Sequence, residues 1–470
     1  MTTTTTFPRG AQVAFLIIFF LAGKALYCQT LPGSTDYDYA AFRFPDIDRK
    51  ALDAQFNLLG NALQTMRREL GFDDNSSSNL SNNLNLAYSR FRNTARLQSQ
   101  QSFNFNQAFS TGRGPDERYN RIRAGFGVNR VHREYYKPLR FTEYNLFLQA
   151  AYEKSTQQGT NPFFQFKNWN VAVSASLPLK IGKGRIEPID DVFIAKFLMD
   201  DLLENSILAA PLSQENLFSL GQVMAAARNQ RIFDFRRQRI YELTQLDNWF
   251  KKNGLEDGQS DIVYFSALAD NWLYAFRNVR QAGKRVAVGV EPFVLFSHSR
   301  TFAPGVSSGY FGARVFGEYL KERPVNQFWQ AGKTLRAGLE YLNNPVDWDD
   351  KVNNIWIRPY AEFGANWGYF PNSRTALLAN AVLRYEYYWA DPDNLILFDF
   401  HVIQPAINFS TTYFINYQFR IEGSLNGSYT WASDNARASF ATASILPFSA
   451  ERNSSRFLLS GNIALLYSFF

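Results

Sequence analysis

The sequence predicts an all-β transmembrane antiparallel barrel of about fourteen strands, with sixteen as the alternative, interrupted by an α-helical insertion. Three observations predict it. Apolar residues recur with period two over stretches of about ten residues or more, the length a tilted strand needs to cross a bilayer. Aromatics make up 16% of the 470 residues, with 44 Phe, 24 Tyr and 9 Trp, yet the mean hydropathy is −0.28. That combination fits strands with an apolar outer face, a polar inner face and aromatic girdles. Between two blocks of alternation the period switches to that of a helix.

Residues 1–28 read as a secretory leader. Arg9 precedes the apolar run Ala14-Phe15-Leu16-Ile17-Ile18-Phe19-Phe20-Leu21-Ala22-Gly23, which is too short for a membrane helix. Cleavage before Gln29 removes Cys28. The rival assignment makes Cys28 an acylated first residue, against which Tyr27 stands where a small residue is wanted. Cys28 is the single cysteine, so no intramolecular disulfide forms.

The N-terminal part of the barrel spans residues 29–182. Weaker alternation marks six strands near 51–65, 82–97, 99–110, 120–135, 139–154 and 168–182. Leu84, Leu86 and Tyr88, for example, face away from Asn85 and Ser89, and Ile122, Ala124, Phe126 and Val128 from Arg123 and Asn129. Residues 74–81, rich in Asn and Ser, are expected to form an extracellular loop.

The insertion is placed at 183–283, with helical spacing from Glu187 onward. Ile189, Val192, Phe193, Phe197, Leu198 and Leu202 share one face. Leu217, Leu220, Met224 and Ala227 form a second helix, and Ile240, Leu243, Leu246 and Phe250 a third. Pro188, Ser213 and Gly254 supply start and stop signals. The basic side chains Arg228, Arg231, Arg236, Arg237 and Arg239 are either a docking surface or a solvated helix face with local ion pairs. Trp249, Trp272 and Tyr274 would pack the insertion against the barrel floor if it served as a plug.

Residues 284–470 complete the barrel with strands seven to fourteen. Leu335, Ala337, Leu339 and Tyr341 alternate with Thr334, Arg336, Gly338 and Glu340, and the run from Tyr413 to Tyr429 does the same. An even total returns the C-terminus to the side of the N-terminus, which requires reading Ala438–Pro447 as loop. On the inner face fall Glu291, Arg314, Glu318, Arg336, Glu340, Arg358, Glu362, Arg384, Glu386, Arg420 and Glu422. Aligned strands would stack them into a ladder of alternating charge. Such a ladder is either the constriction lining of a channel or, as balance of charge favours, a structural ion-pair network.

The three histidines offer no catalytic set. His298 faces away from Ser297 and Ser299, His401 is placed on the inner face with Asp399, and His132 near the outer rim of strand four. No metal spacing, phosphate loop or nucleophile elbow occurs, so no cofactor and no enzymatic activity are expected. The net charge of +7 is dispersed among acids rather than clustered, which argues against a nucleic-acid partner.

The closing run Asn462-Ile463-Ala464-Leu465-Leu466-Tyr467-Ser468-Phe469-Phe470 resembles the aromatic-ended terminal strand of Gram-negative outer-membrane β-barrel proteins. The apolar alternation is in phase with Phe469 rather than Phe470. The resemblance implies residence in outer-membrane lipid and handling by the barrel assembly machinery. Strand parity puts the insertion in the periplasm, where its basic stretch would be available to a periplasmic protein, peptidoglycan or another subunit. Two functions follow as expectations: a porin-like channel for passive solute passage, or a non-transporting structural barrel whose insertion binds a partner. An outer-membrane hydrolase is third.

Overall fold

The computed structural model describes residues 37–65, 75–114, 117–160, 163–230, 232, 234–254, 262–273, 280–300, 306–345, 353–390, 400–415, 419–432 and 455–467. Residues 1–36, with the proposed leader and Cys28, lie outside these. So do Arg231, Tyr274, Asp399 and the stretch 438–447.

The strands are β1 (Ile47–Thr65), β2 (Asn75–Asn93), β3 (Leu97–Arg113), β4 (Glu117–Lys137), β5 (Arg140–Thr160), β6 (Phe163–Ser176) and β7 (Leu179–Pro188). After the helices come β8 (Gln281–Arg300), β9 (Val306–Pro324), β10 (Trp329–Pro345) and β11 (Asn353–Asn372). The last are β12 (Thr375–Ala390), β13 (Phe400–Phe414), β14 (Phe419–Ala432) and β15 (Ser455–Tyr467). Each pairs antiparallel with its neighbours in chain order, except that β7 lies off the path and pairs with β5 and β8.

The register explains that exception. β5 pairs with β6 from Phe147↔Ser176 outward and with β7 from Tyr144↔Leu179 inward, and β8 divides between the same two strands. β6 and β7 are therefore collinear halves of one crossing, broken at Leu177-Pro178. Pro178 has no N–H to give the ladder. The break is bridged by Leu177 N–H to the Pro292 carbonyl at 3.0 Å and by Asn145 N–H to the Pro178 carbonyl at 2.9 Å. Among the described residues fifteen strands thus make fourteen crossings, six before the helices and eight after. With fourteen, the end strands β1 and β15 run antiparallel to each other, the orientation in which such a meander closes.

Boundaries differ from expectation at three places: residues 183–188 are the end of β7 and 281–283 the start of β8 rather than part of the insertion, the alternating run from Tyr413 to Tyr429 is divided between β13 and β14, and the third is the Asn- and Ser-rich stretch. Residues 75–81 are strand rather than loop, because β1 continues to Thr65 and offers a partner as far as Thr65↔Asn75. Ladder pairing outweighs the turn preference of Asn and Ser.

The helices are α1 (Asp190–Glu204), α2 (Gln214–Asn229), α3 (Phe235–Lys252) and α4 (Ile262–Leu273), one more than the sequence spacing indicates. The Ser213 side chain caps α2 by accepting from Asn216 N–H, and Asp234 caps α3 by accepting from Arg236 and Arg237 N–H. Their apolar faces enclose a core of Val192, Phe193, Leu198, Leu217, Leu220, Phe250, Tyr264 and Leu268. Trp249 and Trp272 belong to this core rather than to a contact with the barrel floor, their indole N–H groups donating to Ser219 at 3.0 Å and Glu242 at 2.6 Å.

The segment preceding β1 completes the unit. Tyr39 stacks on Phe193 with centroids 4.3 Å apart, and Phe42, fully buried, meets Phe218 edge-on at 5.6 Å. Replacing Phe42 by Ala is expected to cost about 3–5 kcal/mol of the unit's stability, through lost burial and an unfilled cavity. Limited proteolysis should then cut the helices faster while the barrel persists. An unchanged cleavage rate would show that the segment is dispensable.

The same unit touches β1 through α2 and the β11–β12 turn through the Asp270–Arg374 ion pair at 3.1 Å. In a flat sheet those strands would lie about 50 Å apart at ~4.8 Å per strand. A unit of this size spans roughly 30 Å, so the sheet must curl around it. Two glycines let the β7 and β8 ends turn into the cap: Gly184 (φ +111°) and Gly283 (φ +128°) sit where an added Cβ would lie 2.1 Å from the facing strand's carbonyl oxygen.

Candidate functional site

Alternation gives each strand two chemically distinct faces. On β10 the outward Leu335 and Leu339 are about half exposed, whereas the inward Glu340 retains 2%. Register then decides which inward side chains meet. Glu291↔Arg314, Arg314↔Glu340 and Glu340↔Arg358 are directly opposed across β8 to β11. A second row runs Glu318↔Arg336↔Glu362↔Arg384 across β9 to β12. Opposed unlike charges at every step are the favourable cross-strand arrangement.

The side chains close these rows into one network. Arg314 lies 3.2 Å from Glu291 and also pairs with Glu340. Arg358 pairs with Glu340, lies 3.2 Å from Glu386, and donates to the Tyr388 hydroxyl at 2.8 Å. Arg336 reaches Glu291 at 2.8 Å, and Arg384 sits 2.5 Å from Glu386 and 4.0 Å from Glu362. The network extends where the sequence reading did not place it. Arg133 on β4 pairs with Glu143 on β5, and Lys180 on β7 lies 3.1 Å from both Glu143 and Glu318. Arg285 joins Glu318 at 3.3 Å. Their signal was an inward charge on each of these strands, hidden at Arg133, Glu143 and Lys180 by the weak alternation of the N-terminal half and legible at Arg285 in the alternation of Val286, Val288 and Val290.

Arg420 and Glu422 are separate from this ladder. They share β14 and pair with each other at 2.9 Å, each with about two-fifths of its side chain exposed. Register is the reason, since Arg420 faces Phe414 and Leu466, and Glu422 faces Thr412 and Ala464.

The remaining wall is neutral and was not singled out from the sequence. Asn366, Asn380, Asn408, Asn426 and Ser460 stand opposite one another in turn from β11 to β15. Asn57, Asn83 and Asn85 face one another or other polar groups on β1 to β3. The signal available was an inward Asn on successive strands. The lumen therefore has an ion-paired wall and an amide-lined wall.

The cap closes on the short-turn end. Arg280 is fully buried between the rings of Phe193 and Phe370, its guanidinium carbon 3.1 and 4.8 Å from their centroids. It donates to the carbonyls of Gln327 at 2.6 Å and Asn326 at 2.9 Å in the β9–β10 turn. Burial pushes this guanidinium down to about 9, against the opposing pull of Asp190. Gln327 also donates to Asp200 on α1 at 2.6 Å, and Arg185 reaches the Ala95 and Thr94 carbonyls of the β2–β3 turn at 3.0 and 2.9 Å.

Of the basic residues in the insertion, Arg228 is internal, paired with Asp191 at 2.8 Å. Arg236 and Arg237 are exposed and Arg239 half-buried on α3. The histidines all lie on the outward face. His298 Nδ1 is 2.6 Å from Ser307 Oγ on the adjacent strand, with the Trp169 ring 4.5 Å away. His401 is not inward as expected. It hydrogen-bonds the Tyr385 hydroxyl at 2.8 Å and packs on Tyr387, because Val402, fully buried, takes the inward phase of β13. His132 stacks on Tyr144 near the short-turn end of β4, not at its outer rim.

A polar, ion-paired inner face, an apolar outward face and fourteen antiparallel crossings define an outer-membrane-type transmembrane β-barrel. Among the described residues no helix is long and apolar enough to cross a membrane. Among solved structures the chain is similar to the translocator domain of autotransporter NalP from Neisseria meningitidis, at 9% identity and TM-score 0.25, covering 81% of this chain and 92% of that one. It is also similar to the beta domain of the Bordetella autotransporter Brka, at 7% identity and TM-score 0.22, covering 90% of this chain and 100% of that one. Likeness at these scores carries no argument, so the class rests on strand order, register and face chemistry. No family model and no curated protein matches the chain.

Proposed function

We propose that the chain is a non-enzymatic barrel of the outer membrane whose lumen is held shut at its short-turn mouth by its own helical cap. In this reading solute passage requires the cap to shift. The observation that carries it is the set of cap contacts to separate parts of the rim: β1 through α2, the β9–β10 turn through Arg280 and Gln327, and the β11–β12 turn through Asp270. The cap faces the periplasm, on the side of the tight turns, and hydrophilic solutes would follow the amide-lined wall. Assembly into the membrane would use the barrel assembly machinery.

A second reading, a structural barrel that binds a periplasmic protein or peptidoglycan, is favoured by one feature, the exposed Arg236 and Arg237 on α3.

Single-channel recording in planar bilayers distinguishes them. The full chain is expected to be mostly closed. A variant lacking residues 190–280 behind a short linker, and an intact variant with Arg374→Ala, are expected to conduct more. Stable, equal conductance from all three would overturn the capped reading. Silence from all three folded proteins would remove transport and leave partner binding.

A further inference from the structure

The outward face near the short-turn end carries a row of like charges. Lys284 on β8 stands directly opposite Lys321 on β9, and Lys321 directly opposite Lys333 on β10. Arg323 lies two residues along β9 on the same face, and all four side chains are exposed. Directly opposed like charges destabilise a sheet, and nothing on this wall offsets them. The neighbouring carboxylates turn inward: Glu318 pairs with Lys180 and Arg285, and Glu322 accepts from Gln330 and Asn366. Among the described residues none of the four cations is ion-paired.

A groove of about 650 Å³ on this face runs from β8 and β9 across β7 to β5 and β4, its apolar lining Leu179, Ile181, Val288, Val290, Val315 and Tyr144 and its β4 edge His132 and Glu134. Val288 follows Lys284 by four residue positions on β8, on the order of 13 Å along the strand and away from the turns. Trp329 and Tyr369, their ring centroids 4.6 Å apart and tilted by 34°, flank the row at the rim, as side chains at a membrane interface do.

From this juxtaposition we infer a binding site for an anionic phospholipid of the leaflet at the short-turn rim, its phosphate on Lys284, Lys321 and Lys333 and an acyl chain in the groove. The inference rests on reading the apolar outward face as lipid-facing. A headgroup phosphate supplies the counter-charge that the protein withholds, and the groove distinguishes a lipid from free phosphate.

The test is native mass spectrometry of the folded, delipidated full chain in detergent. The titrants are phosphatidylglycerol, phosphatidylcholine and inorganic phosphate. Retention of phosphatidylglycerol over phosphatidylcholine is expected. The triple variant Lys284→Gln, Lys321→Gln, Lys333→Gln should lose affinity on the order of 100-fold, the triple Lys→Arg variant should keep it, and Val315→Trp should weaken binding by filling the groove. Lys252→Gln on α3 is the control and should change nothing. Undiminished binding by the folded triple Gln variant would overturn the site. Displacement of the lipid by equimolar inorganic phosphate would overturn the lipid as its occupant. Failure of the barrel reading is seen separately, as a chain that does not insert into vesicles.

Discussion

Replacing Glu340 by Gln is expected to destabilise the folded barrel by about 3–5 kcal/mol, the range for removing one partner of a buried ion pair. Glu340 is nearly inaccessible and bridges Arg314 and Arg358, so the change strands two guanidinium groups on the inner wall. Arg358 keeps Glu386 and the Tyr388 hydroxyl, which places Arg314 as the worse-served partner. The measurement is the denaturant midpoint of the micelle-folded protein, followed by the gel-mobility difference between folded and unfolded barrels. Combining Glu340→Gln with Arg314→Met should recover part of the loss. The contrast is Arg420→Gln, whose pair is about two-fifths exposed and should cost less than about 1 kcal/mol. Equal small effects at both sites would mean that lumen water screens the ladder throughout.

The second large effect is expected at the mouth. Arg280→Ala removes two hydrogen bonds to the β9–β10 turn and a cation held between two aromatic rings. A loss of roughly 2–4 kcal/mol in cap closure follows from hydrogen bonds to a charged group and desolvated cation–π contacts. Arg280→Lys should rescue little, because an ammonium cannot present the planar fork that reaches both carbonyls. The expected results are faster proteolysis within α1–α4 at unchanged barrel stability, and more frequent openings in bilayer recordings. A cap as resistant as the parent's would show that the remaining contacts at Gln327 and Asp270 are sufficient to hold it.

The barrel was legible because a strand's two-residue period is local. Each crossing states its own inward and outward faces, and the Arg and Glu residues of β9 to β12 could be assigned to the lumen without knowing any neighbour. Where both faces are apolar that information vanishes. In β13, Phe400, Val402 and Ile403 surround His401, so only pairing with β12 could fix its phase, and it fixed the opposite one. The Leu177-Pro178 break likewise becomes a single crossing only through register against β5 and β8.

By itself, then, the sequence determined the class of fold, the helical interruption and the inward phase of the Arg and Glu residues of β9 to β12, since these follow from periodicity within single segments. Tertiary structure alone decided which charges meet, that Arg420 and Glu422 stand apart, that the segment before β1 completes the cap, and that three lysines oppose one another on the outer wall. Each of these depends on contacts between residues tens to hundreds of positions apart, which strand pairing creates and local sequence does not encode.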